Sequence, residues 1–137
     1  MTKWIMSANR KYFDHEKAFA ENGFIDWKQT RNYDIGDVVY IYVTKPDSEI
    51  EYVAVVEAVN LVQDQIVDQK DFWRGKKQIY KKEPKYCRLR LLRKLECDGL
   101  TMERLKEHGM MYPPQSPYKV KEELAAYINT CIGEDND

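Results

Sequence analysis

Two tryptophans stand where a hydrophobic core would not put them. Trp27 lies among Asp26, Lys28, Gln29, Thr30 and Arg31, with no periodic apolar partners. Trp73 belongs to the run Phe72-Trp73-Arg74-Gly75-Lys76-Lys77. A large ring in a polar setting is either a lid over the core or the wall of a pocket. A ring beside clustered cations suits stacking on a nucleobase while its phosphates are held. The plainer reading of Trp73 is a strand-edge ring with lysines for solubility. From Arg74 to Lys94 there are ten Lys or Arg and one acid, Glu83, so the net charge of −1 conceals a segment of +9. A contrast of that size suggests a localised anionic partner.

Catalytic signatures are missing from the sequence. It contains no Gly-x-Ser-x-Gly, no P-loop, no His-Glu-x-x-His and no Gly-x-Gly-x-x-Gly. His15 falls in a polar first helical turn and reads as a solvated surface residue. His108 precedes Gly109, where an imidazolium suits the negative end of a helix. Three scattered cysteines, Cys87, Cys97 and Cys131, have no metal-ligand spacing and make no disulfide framework. The expectation is a binding protein rather than an enzyme, with no metal and no cofactor. The first residues already carry Lys3, Arg10 and Lys11, and no run approaches the roughly 18 apolar residues of a membrane span. A cytoplasmic location follows as an expectation.

The elements that would position these residues are short. Trp4, Ile5 and Met6 mark a first strand over Lys3 to Ala8, with Trp4 in the core. Asp14 as N-cap and Gly23 as stop bracket a two-turn helix. Phe24 to Tyr33 has no clean period and reads as an ordered loop carrying Trp27. Val38 to Val43 and Tyr52 to Val59 are rich in β-branched and aromatic residues and read as buried strands. From Tyr86 onward Cys87, Leu89 and Leu91 alternate with Arg88 and Arg90, a half-buried strand with its arginines outward. Thr101 to His108 is a short helix. Ser116-Pro117 reads as the N-cap and first turn of a last helix whose stripe is Val120, Leu124, Ile128 and Cys131.

The 137 residues suit one α+β domain over 1–133, followed by an acidic frayed tail over 134–137. The sheet should be mostly antiparallel, since no βαβ rhythm is present.

Several stretches together resemble the EVE domain, a family of the PUA-like fold related to YTH domains. They are Trp4-Ile5-Met6-Ser7-Ala8-Asn9, Lys11-Tyr12-Phe13-Asp14, Ile25-Asp26-Trp27-Lys28-Gln29 and Val38-Val39-Tyr40-Ile41-Tyr42-Val43. The resemblance is densest in the first 60 residues and continues loosely through Thr101 and Gln115-Ser116-Pro117. It implies a small curved β-barrel with flanking short helices and a pocket for a flipped, modified base. In that pattern Trp27 matches a cage tryptophan, and Trp73-Arg74-Gly75 is similar to a motif supplying a second wall. Ser7, Asn9, Lys28, Gln29 and Ser116 would complete the base pocket, while Arg74, Lys76, Lys77 and Lys81 would hold phosphate. Asp68 stands where many YTH cages have another tryptophan, which favours a modification other than N6-methyladenine, or a looser pocket. The function so implied is a non-enzymatic reader of a modified, most often methylated, base in DNA. RNA binding or processing, and a sensor of free nucleosides or other small molecules, are the alternatives.

Overall fold

The computed structural model describes residues 1–74 and 83–133. The strands are β1 (Lys3–Ala8), β2 (Phe24–Lys28), β3 (Val38–Val43), β4 (Glu49–Leu61), β5 (Tyr86–Lys94) and β6 (Tyr118–Lys119). The helices are α1 (His15–Asn22), α2 (Met102–Glu107) and α3 (Glu122–Cys131), with single 3-10 turns at Gln63–Gln65, Lys70–Phe72 and Asp98–Leu100. The strands form one sheet in the order β2-β5-β4-β3-β1-β6. All neighbours are antiparallel except β1 and β3, which run parallel with Ile5 opposite Tyr40.

The central strands are buried on both faces, so their side chains sort with a period of two into two cores. Val39, Ile41 and Val43 join Trp4, Met6, Tyr52, Val56 and Leu89 on the first face. Tyr40 and Tyr42 join Ile5, Ile50, Leu105, Leu124 and Ile128 on the second. α1 covers the first face with Ala18 and Phe19, while α2 and α3 cover the second. Trp4 is buried, and its Nε1 donates to Asp37 Oδ2 at 3.0 Å, so the core role expected for it holds.

β4 is long and bent. Its register with β3 skips Glu51, between the pairs Ile50–Tyr42 and Tyr52–Ile41, and three further irregularities interrupt its pairing with β5. Bulges of this kind curl a strand and raise its twist. The sheet is curved but not closed: β2 has five residues, β6 has two, and they are the two ends of the strand order. The fold is the expected α+β with short flanking helices, and the barrel implied by the resemblance is an open sheet here.

Two local expectations fail. Phe24–Lys28 is a strand, not a loop, because the edge of β5 recruits it: Ile25 pairs with Leu89, Asp26 with Arg88 and Trp27 with Cys87. Asp26 looks ill-suited to a strand, but Arg88 neutralises it through bonds of 2.8 and 3.0 Å. Ser116-Pro117 caps no helix. Tyr118–Lys119 instead adds to the free edge of β1, with Val120 N–H donating to the Lys3 carbonyl at 2.9 Å. The last helix starts at Glu122, where Glu122 and Glu123 complement the positive end of its dipole.

Candidate nucleobase site

Trp27 and Trp73, 46 positions apart in sequence, stack on each other. Their ring centroids lie 5.6 Å apart and their planes differ by 7°. Different backbone anchors hold the two rings. Trp27 ends β2, which is fixed by pairing with β5 and by the buried Asp26 beside it. That carboxylate accepts from Arg88 and from the Val67 N–H, and Gln69 bonds both the N–H and the carbonyl of Asp26. Trp73 follows the Lys70–Phe72 turn and forms an isolated antiparallel bridge with Phe13. Asp14 N–H donates to the Phe72 carbonyl and Arg74 N–H to the Tyr12 carbonyl, each at 2.8 Å.

Phe13 and His15 form the floor. Phe13 meets Trp27 at 5.0 Å and Trp73 at 4.7 Å, both edge to face. His15 lies 4.9 Å from Trp27 and 4.8 Å from Phe13. It is 2% exposed, so the surface role expected for it is wrong. Burial pushes its pKa down to about 4, leaving it neutral near pH 7, and Nδ1 sits 3.2 Å from the Phe13 carbonyl. The signal for this was present in the sequence: His15, Ala18 and Phe19 share one stripe of α1, and Phe13 precedes the cap. His108 does lie at the end of α2, as expected for a cap residue, with its ring stacked on Tyr127 at 3.6 Å.

The two walls differ in freedom. Trp27 is half-buried against Phe13 and His15, while Trp73 is 43% exposed. A ring held between two others needs about 3.5 Å on each side, or about 7 Å between the walls. The tryptophans are closer than that. In this state Trp73 therefore takes the place on Trp27 that a planar ligand would occupy.

Arg74 lies beside the exposed ring, but its guanidinium is already engaged. It donates to Asp14 Oδ2 at 2.8 Å and to the Arg10 carbonyl at 2.9 Å. Asp14 serves twice, since its other oxygen caps α1 by accepting the Lys17 N–H at 3.0 Å. That backbone bond, with help from Arg74, holds the Asp14 carboxyl below its usual range. Lys76, Lys77 and Lys81, expected to hold phosphate, lie outside the described residues, as do Gly75 and the acidic tail.

The other expected pocket residues divide into separate groups. Lys28 is exposed at the end of β2. Gln29 is held to Asn60, whose N–H donates to its Oε1 at 2.8 Å, and to the Arg31 carbonyl at 3.0 Å. Arg31 in turn donates to Ser116 Oγ at 3.1 Å and to the Pro117 carbonyl at 2.9 Å. Ser7 donates to the Pro114 carbonyl, and Asn9 accepts the Lys11 N–H at 2.9 Å. These hydrogen bonds tie Ser7 and Ser116 to the segment leading into β6, and Gln29 to the same ridge. Among the described residues the structure brings Trp27 and Trp73 together, with Arg74 next to Trp73 in the chain. Asp68 is exposed and accepts the Lys70 N–H at 3.0 Å, a turn residue rather than a wall.

An ion-pair cluster gathers around Arg10 and Glu16. Arg10 pairs with Glu51 and Glu16 and lies 3.1 Å from Asp47. Lys94 reaches Glu16 at 2.7 Å. Burial and the neighbouring Asp47 carboxyl hold Glu51 above the usual carboxylate range, against the pull of Arg10. Among the described residues no three His, Cys, Asp or Glu stand together as metal ligands, and no helix is long and apolar enough to cross a membrane.

No family model matches the chain, and no curated protein matches it. Solved structures do resemble it. An ASCH protein from Zymomonas mobilis is 15% identical, with a TM-score of 0.64 over 97% of each chain. A protein from Rhodopseudomonas palustris solved by NMR is 14% identical, with a TM-score of 0.67 over 97% of this chain and 94% of that one. A crystal structure from Agrobacterium tumefaciens is 16% identical, with a TM-score of 0.64 over 100% of this chain and 97% of that one. The shared feature is the fold.

Proposed function

We propose that the protein binds a modified nucleobase flipped out of a nucleic acid strand, between Trp27 and Trp73, without turning it over. The observation that carries this reading is the parallel stack of two distant tryptophans, one fixed and one exposed, at the head of a basic segment. Trp27 is the fixed wall. Trp73 is the moving one, swinging off Trp27 to admit a base and closing on its outer face. Unstacking a base costs a few kcal/mol, and a stacking contact returns about 1–3 kcal/mol per base. A buried methyl adds about 0.8 kcal/mol, so the mark is read by a dry fit against Phe13 and His15. A neutral His15 suits that role, since a buried imidazolium would repel the cations that hold the flanking phosphates.

DNA is the proposed strand, and methylation the proposed class of mark. The test is a panel of DNA and RNA oligonucleotides of one sequence, each carrying a single methylated cytosine or adenine. Tighter binding of one marked DNA than of its unmarked and ribose counterparts is the expected outcome. Equal affinity across the panel would remove the reader function. Preference for the ribose strands would move it to RNA, because the 2′-hydroxyl is the handle that separates the two. Incubation of the same oligonucleotides with the protein should leave them intact, and strand cleavage or base loss would replace the reader by an enzyme.

A further inference from the structure

On the opposite side of the sheet the fold brings two sulfurs together. Cys97 begins the Asp98–Leu100 turn after β5, and Cys131 is the last residue of α3. Both are free thiols and both are half-buried. Although 34 positions apart, Cys97 Sγ lies 3.3 Å from the Cys131 carbonyl oxygen. Both sulfurs border the same small space, beside Gly99. Gly99 explains how they meet. A Cβ on it would stand 2.7 Å from Cys131 Sγ and 3.0 Å from the Tyr127 hydroxyl, with Cys97 Sγ at 3.8 Å. The absent side chain leaves that space to the sulfurs. Tyr127 clamps the turn to the helix by donating to the Gly99 carbonyl at 2.6 Å, and Arg93 donates to the Ile132 carbonyl at 2.8 Å. Cys87 takes no part: it is fully buried in the other core.

We propose that Cys97 and Cys131 are a reversible dithiol–disulfide pair that exchanges with a low-molecular-weight disulfide such as oxidised glutathione. The thiolate of Cys97 attacks one sulfur of that disulfide, breaking its S–S bond and releasing one glutathione thiolate. The Cys131 thiolate then attacks the Cys97 sulfur, forms the Cys97–Cys131 bond and expels the second glutathione thiolate. The two protons end on the two released thiols; the protein gives up two electrons and the glutathione disulfide takes them. Burial pushes the Cys131 thiol up, and with the roles of the two sulfurs exchanged the same bond forms. The product fastens the end of α3 to the exit of β5 and locks the helical cover of the second face. Nothing in this depends on a ligand at the tryptophans.

The test treats the purified full chain with excess oxidised glutathione, then counts free thiols after denaturation and maps the linked peptides by mass spectrometry. Free thiols should fall from three to one, with Cys87 remaining and the peptides of Cys97 and Cys131 cross-linked. Tm should rise by about 10 °C and return on adding dithiothreitol. Cys97→Ser and Cys131→Ser should each abolish the cross-link and the rise in Tm while melting like the reduced wild type. Stable glutathione adducts without a cross-link, three thiols retained, or a bond that uses Cys87 would each overturn the proposal.

Discussion

The two faces of the sheet are covered by different means, and under the proposed function the difference separates stability from binding. The second face is closed by α2 and α3, whose Leu105, Leu124 and Ile128 are buried to within 2% exposure. The first is closed by α1 for part of its width, and then by a cluster of rings that runs outward from Phe13 and His15 to Trp73. Apolar area is removed from water on both sides, and each side ends in an exposed ring, Trp73 on the first and Tyr112 on the second, but only Trp73 lies flat on a second tryptophan. An aromatic ring left 43% exposed contributes little to the core. What it retains is access. The second face therefore reads as a foundation and the first as a foundation with a working edge.

Substitutions should divide along that line. The largest effect should come from Asp26→Ala beneath the working edge. Removing the buried carboxylate leaves Arg88 without its partner and frees β2, at a cost of about 3–5 kcal/mol in urea unfolding, with loss of ligand binding as well. Leu105→Ala on the foundation should cost about 2–5 kcal/mol and leave affinity unchanged below its melting temperature, a split that oligonucleotide titration would show.

Acid should act on the first face. His15 titrates near 6.5 when unfolded and near 4 when folded, so as pH falls the unfolded chain takes up the proton first. Its contribution to stability is complete above about pH 6.5 and is lost progressively toward pH 4, by on the order of 3 kcal/mol. Urea midpoints measured between pH 7.5 and 4.5 should show the wild type losing stability relative to His15→Phe as pH falls, a difference in which the opposite contribution of the raised Glu51 carboxyl cancels. Smaller again is the cation effect. Lys76→Gln with Lys77→Gln should lower the salt dependence of binding by about two, whereas Arg74→Gln should lower it by less than one, because Asp14 already holds that guanidinium.

The sequence made the strongly periodic elements visible. Val38–Val43 shows its strand in composition alone, and α1 is bracketed by Asp14 and Gly23. The misread segments are those whose partner decides the outcome. Phe24–Lys28 becomes a strand because the edge of β5 and the Arg88 charge are there to receive it, and neither lies nearby in sequence. Tyr118–Lys119 is captured in the same way by β1. At the site, the composition around Trp27 and Trp73 singled out both rings. It did not show that they touch, nor that Phe13 and His15 lie beneath them. His15 was hidden by its polar neighbours, Asp14, Glu16 and Lys17, which face solvent on the other side of the turn. The small polar residues Ser7, Gln29 and Ser116 were grouped by resemblance, and their hydrogen-bond partners, Pro114, Asn60 and Arg31, were not visible in the sequence.

The central claim is that one base sits between Trp27 and Trp73, and a double-mutant cycle tests it most directly. Affinity for the preferred marked oligonucleotide would be measured for wild type, Trp27→Ala, Trp73→Ala and the double variant, each first checked for a native melting transition. A shared ligand makes the walls interdependent. Each single change should weaken binding by about 1–3 kcal/mol, and the double variant should lose little more than the worse single one. Losses that simply add would place the two rings on different parts of the ligand, and unchanged affinity in Trp73→Ala would contradict the site altogether.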